Sequence, residues 1–278
     1  MDYVKPADVA SAMLNAALAK LALPAGALIL RGMLSGAILG VATTLAVSAS
    51  ASSGEPIVGA VLFPVGFVAI VLLGLELVTG SFAIVPLAMI EGRASFSQVA
   101  GNCALVLIGN LLGALIYAAL IALVYTEAWT AAPSVLGVKI AAIADAKTLG
   151  YAAHGAAGFA TCFVKAVLCN WMVCLGVVLA MTSASTIGKV VTAWLPILVF
   201  FAQGFEHLVV NFFVIPAGMM MGAKTSVYIW LVWNGLPVLL GNIVGGFVFT
   251  GLAIYLSWRP KSAAPLAAAT PSGALAAE

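Results

Sequence analysis

Residues 74–92 read GLELVTGSFAIVPLAMIEG, and residues 204–222 read GFEHLVVNFFVIPAGMMMG. Both follow the frame G-x-E-x9-P-x5-G. Gly74, Glu76, Phe82, Pro86 and Gly92 recur 130 positions later as Gly204, Glu206, Phe212, Pro216 and Gly222. Each stretch sits inside an apolar segment, 57–90 and 190–222, that is longer than the roughly 20 residues a helix needs to cross a bilayer. A glycine, a carboxylate and a proline in mid-segment predict an interrupted helix in both places. Backbone freed by such an interruption is tolerated within a membrane only where protein or a water-filled cavity satisfies it.

Four further apolar segments, about 26–48, 98–125, 152–182 and 228–258, bring the expected number of spans to six. The composition agrees: 64% of the 278 residues are hydrophobic and 7% charged, against roughly a quarter charged in a water-soluble domain. The repeat extends beyond its core. Asn110 and Gly113 match Asn242 and Gly245, Arg31 matches Lys165, and at that offset Lys20 meets His154. Three spans per half is an odd number, so the second half enters the bilayer from the opposite side. The expected fold is an all-α integral membrane protein of two inverted three-helix repeats with broken second and fifth helices, an architecture of transporters. The expected divisions are an N-terminal cytoplasmic amphipathic segment over 1–25, a first repeat over 26–125, an outer connecting loop over 126–151, a second repeat over 152–258 and a disordered cytoplasmic tail over 259–278.

Basic residues resist translocation, which orients the chain. With the N-terminus inside, Lys5, Arg93, Lys189, Arg259 and Lys261 face the cytoplasm, and Lys139, Lys147 and Lys224 face out. The start, MDYVKPAD, lacks the pattern of a cleaved signal peptide, so the mature chain is expected to begin near Met1. A net charge of +2 with scattered basic residues excludes nucleic acid as a partner. No G-x-x-x-x-G-K-[ST] phosphate loop occurs, and no cofactor is expected. Cys103, Cys162, Cys169 and Cys174 lie in apolar spans without a C-x-x-C pair and read as packing residues, as do Met219, Met220 and Met221.

Glu206 and His207 stand together at the centre of the fifth segment, where an ionisable residue is expensive and marks function. The first repeat has Leu77 opposite His207, so the halves are chemically unequal, and Thr79 offers a hydroxyl to a small oxyanion. Glu76 and Glu206 suit either of two roles: accepting amide hydrogen bonds from the broken backbone, or tuning His207. Arg31 and Lys165, a few residues into their spans, fit snorkelling to the interface or a vestibule. A membrane enzyme would need a nucleophile or metal cluster near His207, and the chain holds only two histidines.

GFEHLVVNFFVIP, KAVLCNWMVCLGVVLA, ELVTG and LGNIVGG resemble, in order, the signatures of the formate/nitrite transporter family, and the likeness spans about residues 8–258. The resemblance implies an aquaporin-like fold, a homopentamer with a pore through each protomer, and residence in the inner membrane. It implies as substrates small monovalent weak-acid anions, formate first, with nitrite, hydrosulfide, acetate or lactate as alternatives, moving with protons. By that resemblance His207 is the central histidine and Thr79 the pore threonine, with Asn170 and Asn242 placed around the histidine. Hydrophobic gates fall near Phe63, Phe67, Leu77 and Phe200. Lys20 is one vestibule cation, and His154 stands where the second-half vestibule lysine is expected.

Overall fold

The computed structural model describes residues 2–259, and the expected tail therefore lies, apart from Arg259, outside the described residues. Among the described residues, ten helices fall into two sets of five. The first set is α1 (Pro6–Leu21), α2 (Ala25–Ser53), α3 (Pro56–Leu72), α4 (Val78–Ile90) and α5 (Phe96–Tyr125). The second is α6 (Val135–Ala152), α7 (Gly155–Met181), α8 (Thr186–Ala202), α9 (Leu208–Met220) and α10 (Val227–Trp258). Both ends of α3 and α4 recur in α8 and α9 at the offset of 130 seen in the sequence. Among the described residues the only strand-like pairing is an isolated bridge between Tyr3 and Ser183.

Four helices, α2, α5, α7 and α10, are long and apolar enough to cross a membrane, while α3, α4, α8 and α9 are shorter apolar helices. The outward faces are as apolar as the interior. Leu112, Ile116, Leu120 and Val124 form an exposed stripe at four-residue spacing on α5, which suits lipid or a neighbouring subunit and not water.

The glycines of the repeated frame explain the interruptions. Gly74 and Gly204 have φ of 61° and 62°, a left-handed conformation that favours glycine. Each closes the preceding helix: Leu75 N–H donates to Ile70 O at 3.0 Å and Phe205 N–H to Phe200 O at 3.2 Å, the six-to-one bond of a Schellman cap. The chain then runs extended to Leu77 (φ −122°, ψ 118°) and His207 (φ −108°, ψ 123°), from which α4 and α9 start. Gly92 and Gly222 close α4 and α9 with the same left-handed φ. The prolines do not make the interruptions, contrary to expectation. Pro86 follows a turn within α4, and Pro216 lies inside α9.

Close helix crossings hold each set together. Gly113 of α5 lies against the Met33 backbone of α2, and Gly245 of α10 against the Val167 backbone of α7. A Cβ at either position meets a carbonyl oxygen, so the helices approach as only glycine permits.

One expected division is corrected. The stretch 126–151 is not a connecting loop: a short turn leads to Ser134, whose side chain caps α6, and α6 buries Gly137, Ile140, Ala141, Ala144 and Thr148. That spacing of three and four residues is one face of a helix, obscured in the sequence by Lys139, Asp145 and Lys147. Its counterpart is α1, which buries Val9, Ala10, Met13 and Ala17. Each half is thus a five-helix unit that begins with a short packed helix. The sixth apolar segment, α10, also contains two wide π-helical stretches, Leu231–Gly235 and Phe247–Leu252.

Candidate functional site

The two interruptions are braced in the same way. In the first half Asn110 of α5 accepts from Val78 N–H at 2.9 Å and donates to the Glu76 and Gly32 carbonyls, both at 2.9 Å. In the second half Asn242 of α10 accepts from Leu208 N–H at 2.9 Å and donates to the carbonyls of Glu206 (3.0 Å) and Ala166 (2.8 Å). One buried amide thereby serves both sides of each break and ties it to a long helix, answering the need of buried backbone groups for partners. The glutamates do not accept backbone amides, so the reading that gave them that role is corrected. Their partners are side chains on other helices.

Those partners are the two short helices' lysines. Lys20 Nζ of α1 lies 2.6 Å from Glu76 Oε2, and Lys147 Nζ of α6 lies 2.8 Å from Glu206 Oε2. The residue that stands to Glu206 as Lys20 stands to Glu76 is therefore Lys147, and the matching of Lys20 with His154 is corrected. The sequence match failed because α1 and α6 carry a different offset from that of the following helices. Glu206 is further held by Tyr151 OH at 2.8 Å, Asn211 Nδ2 at 2.8 Å and Asn234 Nδ2 at 3.3 Å. Tyr151, Asn211 and Asn234 were not singled out in the sequence. The spacing of Asn234 and Asn242 on α10, the same as that of Asn102 and Asn110 on α5, is the signal that could have marked two of these four asparagines.

Between the breaks, His207 and Thr79 meet. Nε2 of His207 lies 3.0 Å from Thr79 Oγ1, although 128 residues separate them, and both are buried. Nδ1 accepts the Val210 amide at 3.2 Å, so the imidazole caps α9. With Nδ1 accepting, the neutral ring carries its proton on Nε2, and Thr79 accepts it. The threonine hydroxyl hydrogen is then free to donate elsewhere. Neither oxygen of Glu206 bonds His207; they face the lysine cluster.

Asn170 of α7 donates to Thr79 O at 3.0 Å and to Asn242 O at 2.6 Å, and Cys174 Sγ–H donates to Thr79 O at 3.2 Å. Asn170 and Asn242 thus grip the backbone around the Thr79–His207 pair and do not touch the imidazole. The aromatic residues close over it. Phe200 stacks on His207 with ring centres 5.7 Å apart, and Phe63 meets Phe200 edge-on at 5.8 Å. Phe63, Phe67, Leu77 and Phe200 are all buried.

Two cavities take in the basic residues singled out in the sequence, and the first is lined from both halves. One, of about 530 Å³, is lined by Lys20, Arg31, Phe67, Glu76, Leu77 and Lys189. The other, of about 480 Å³, is lined by Tyr151, His154, Thr161 and Lys165. Arg31 and Lys165, matched in the sequence, thus line one cavity each. Cations outnumber carboxylates in both, and partial positive charge at the starts of α4 and α9 adds to them.

Comparisons with known proteins agree with this geometry. Residues 7–256 match the family model described as formate/nitrite transporter. The chain is 36% identical to a probable formate transporter of Methanothermobacter thermautotrophicus over 92% of its own length and 97% of that protein's. Among solved structures it resembles an FNT family ion channel with a TM-score of 0.73 and 27% identity, covering 90% of this chain and 97% of that one. It also resembles a pentameric formate channel with formate bound, with a TM-score of 0.68 and 25% identity, covering 84% and 97%. With a family model matched along nearly its whole length and helices apolar on both faces, this multi-pass membrane protein belongs to the formate/nitrite transporter family.

Proposed function

We propose that the chain is a channel for small monovalent weak-acid anions, formate before nitrite, hydrosulfide, acetate or lactate, and that the anion passes between the two cavities at Thr79 and His207. The observation that carries this reading is the Thr79–His207 hydrogen bond, which joins two interrupted helices at a buried point flanked by Phe63 and Phe200. The six-crossing inverted repeat belongs to the proposal: α3 with α4, and α8 with α9, each make one interrupted crossing, supported by their identical offsets and braces. So do a homopentamer with one pore per subunit, supported by the pentameric neighbour, and an inner-membrane location with both termini cytoplasmic, supported by the excess of basic residues on that side.

A bare anion at a low-dielectric constriction costs at least a few kcal/mol. Lys20, Arg31 and Lys189 draw it into one cavity, and the falling dielectric favours the neutral acid over the anion. Thr79 and His207 offer hydrogen bonds in exchange for lost water. Proton exchange at His207 has a geometric condition. The ring already carries its Nε2 proton, so it becomes a donor to substrate only after Nδ1 releases the Val210 amide and takes a second proton. Water in the cavity is the other source, and replacing His207 by asparagine, which cannot take a second proton, separates the two. Transport and not catalysis is the function, and a membrane enzyme is the alternative class. Purified protein in liposomes distinguishes them: the reading requires labelled formate to equilibrate unchanged, faster than in protein-free vesicles. Conversion of formate to another compound, or no flux of any small monovalent anion, contradicts it.

A further inference from the structure

The two halves differ where their braces meet the glutamates. In the second half the amide of Asn211 does two things at once: Nδ2 donates to Glu206 Oε2 at 2.8 Å and to Asn234 Oδ1 at 3.0 Å. Its counterpart in the first half, 130 positions earlier, is Ser81. The surroundings are otherwise alike. Asn234 Nδ2 donates to Lys147 O and its counterpart Asn102 Nδ2 donates to Lys20 O, both at 3.0 Å. Lys147 pairs with Glu206 as Lys20 pairs with Glu76.

Serine is shorter than asparagine by most of an amide group, and the consequence is visible in the partners. Ser81 Oγ and Asn102 Oδ1 are both buried and lack a hydrogen-bond partner among the described residues. Glu76 accepts from Lys20 alone, whereas Glu206 accepts from Lys147, Tyr151, Asn211 and Asn234. Buried polar atoms left this way each cost about 1–3 kcal/mol. The missing amide leaves room on the order of one water molecule, about 30 Å³ of liquid volume.

We propose that the first half holds a buried water in the place of the Asn211 amide, bound by Ser81, Asn102 and Glu76. The hydrogen-bond count closes: the water donates to Asn102 Oδ1 and to the Glu76 carboxylate and accepts from Ser81 Oγ–H, the three bonds typical of an internal water. Two of its neighbours in the chain, Glu76 and Gly80, line the first cavity. The two ion pairs are then unequal. Glu76 keeps a hydrogen-bond donor when Lys20 turns away from it, while Lys147 is one of four side chains that donate to Glu206. The water site itself is independent of which anion passes.

The test is a structure of the protein in lipid nanodiscs at a resolution that shows ordered waters, for the native chain, Ser81→Asn and Asn211→Ser. The native chain is expected to show density within hydrogen-bond distance of Ser81 Oγ, Asn102 Oδ1 and Glu76. In Ser81→Asn that density is replaced by the new amide, with Tm raised by roughly 2–4 °C. In Asn211→Ser a water appears between Glu206 and Asn234, with Tm lowered. A native map without that density, or one in which Ser81 bonds Asn102 or Glu76 directly, overturns the proposal. The native and Asn211→Ser maps decide it even where Ser81→Asn fails to fold.

Discussion

Replacing Lys147 by methionine keeps an unbranched apolar stem, one atom shorter, and removes the ammonium group with its charge and its hydrogen bond to Glu206. The Glu206 carboxylate, with its side chain 3% exposed, then stands without a counter-ion. Breaking one side of a buried ion pair typically costs about 3–5 kcal/mol. Two features of this site place the effect at the lower end. Tyr151, Asn211 and Asn234 still donate to the carboxylate, and Glu206 can escape by binding a proton. For a carboxyl group of ordinary acidity that escape costs about 3.7 kcal/mol at pH 7 and about 1 kcal/mol at pH 5, so the loss shrinks as pH falls. Lys147→Met is expected to lower stability by about 3 kcal/mol at pH 7, a Tm drop of roughly 6–12 °C, and by about 1 kcal/mol at pH 5. Adding Glu206→Gln should recover most of the loss at pH 7, because a neutral amide needs no counter-ion. His154→Ala, at an exposed position, should change stability by no more than about 0.5 kcal/mol. Thermal unfolding in mild detergent at the two pH values provides the comparison. A Lys147→Met protein as stable as the native chain at pH 7, or a loss that grows toward pH 5, refutes the argument that Lys147 and not His154 is the second-half counterpart of Lys20.

Asn242→Ala leaves the Glu206 carbonyl and the Leu208 amide without their partner, and a loss of about 2–4 kcal/mol is expected. Asn110→Ala should cost a similar amount, because its three bonds are the same, and unfolding of both variants checks this. Thr79→Val conserves volume and removes the partner of His207 Nε2. Formate flux in liposomes should fall on the order of tenfold, the equivalent of one hydrogen bond of about 1.4 kcal/mol, and Tm should fall by roughly 2–12 °C because the buried Nε2–H is left without its acceptor.

Much of this architecture was legible because its signals are local. Gly74, Gly92, Gly204 and Gly222 are helix stops by their own backbone preference, and their recurrence at a fixed offset revealed the repeat before any contact was known. Pro86 and Pro216 misled, since a proline within a helix can be absorbed where neighbouring packing satisfies the freed carbonyl. Lys147 was missed because α6 carries Lys139, Asp145 and Lys147 on one side and hides small residues on the other, which reads as a polar loop until the spacing of Gly137, Ile140, Ala144 and Thr148 is followed. Asn110 and Asn242 matched as letters, but their office as braces depends on backbone 32–36 and 76–78 residues away. The Glu206 cluster depends on side chains from α6, α9 and α10 converging, and nothing in one chain segment announces such a convergence. His207 stood out as an ionisable residue in mid-span and Thr79 as a hydroxyl near its repeat position, the resemblance gave both their pore roles, and their hydrogen bond is a contact between halves that pattern alone does not supply.

The central claim is that a weak acid crosses at His207 with its proton, and His207→Asn tests it most directly. Asparagine is a good helix cap and can still accept the Val210 amide, so α9 and the assembly should persist, but it cannot carry a second proton. Formate flux into proteoliposomes is to be measured with and without an imposed pH gradient, alongside chloride flux, for both proteins. If His207 exchanges the proton, native flux follows the gradient, and the variant loses that dependence while retaining residual flux. An unchanged gradient response in the variant, with chloride still excluded, contradicts the account and returns His207 to a structural cap.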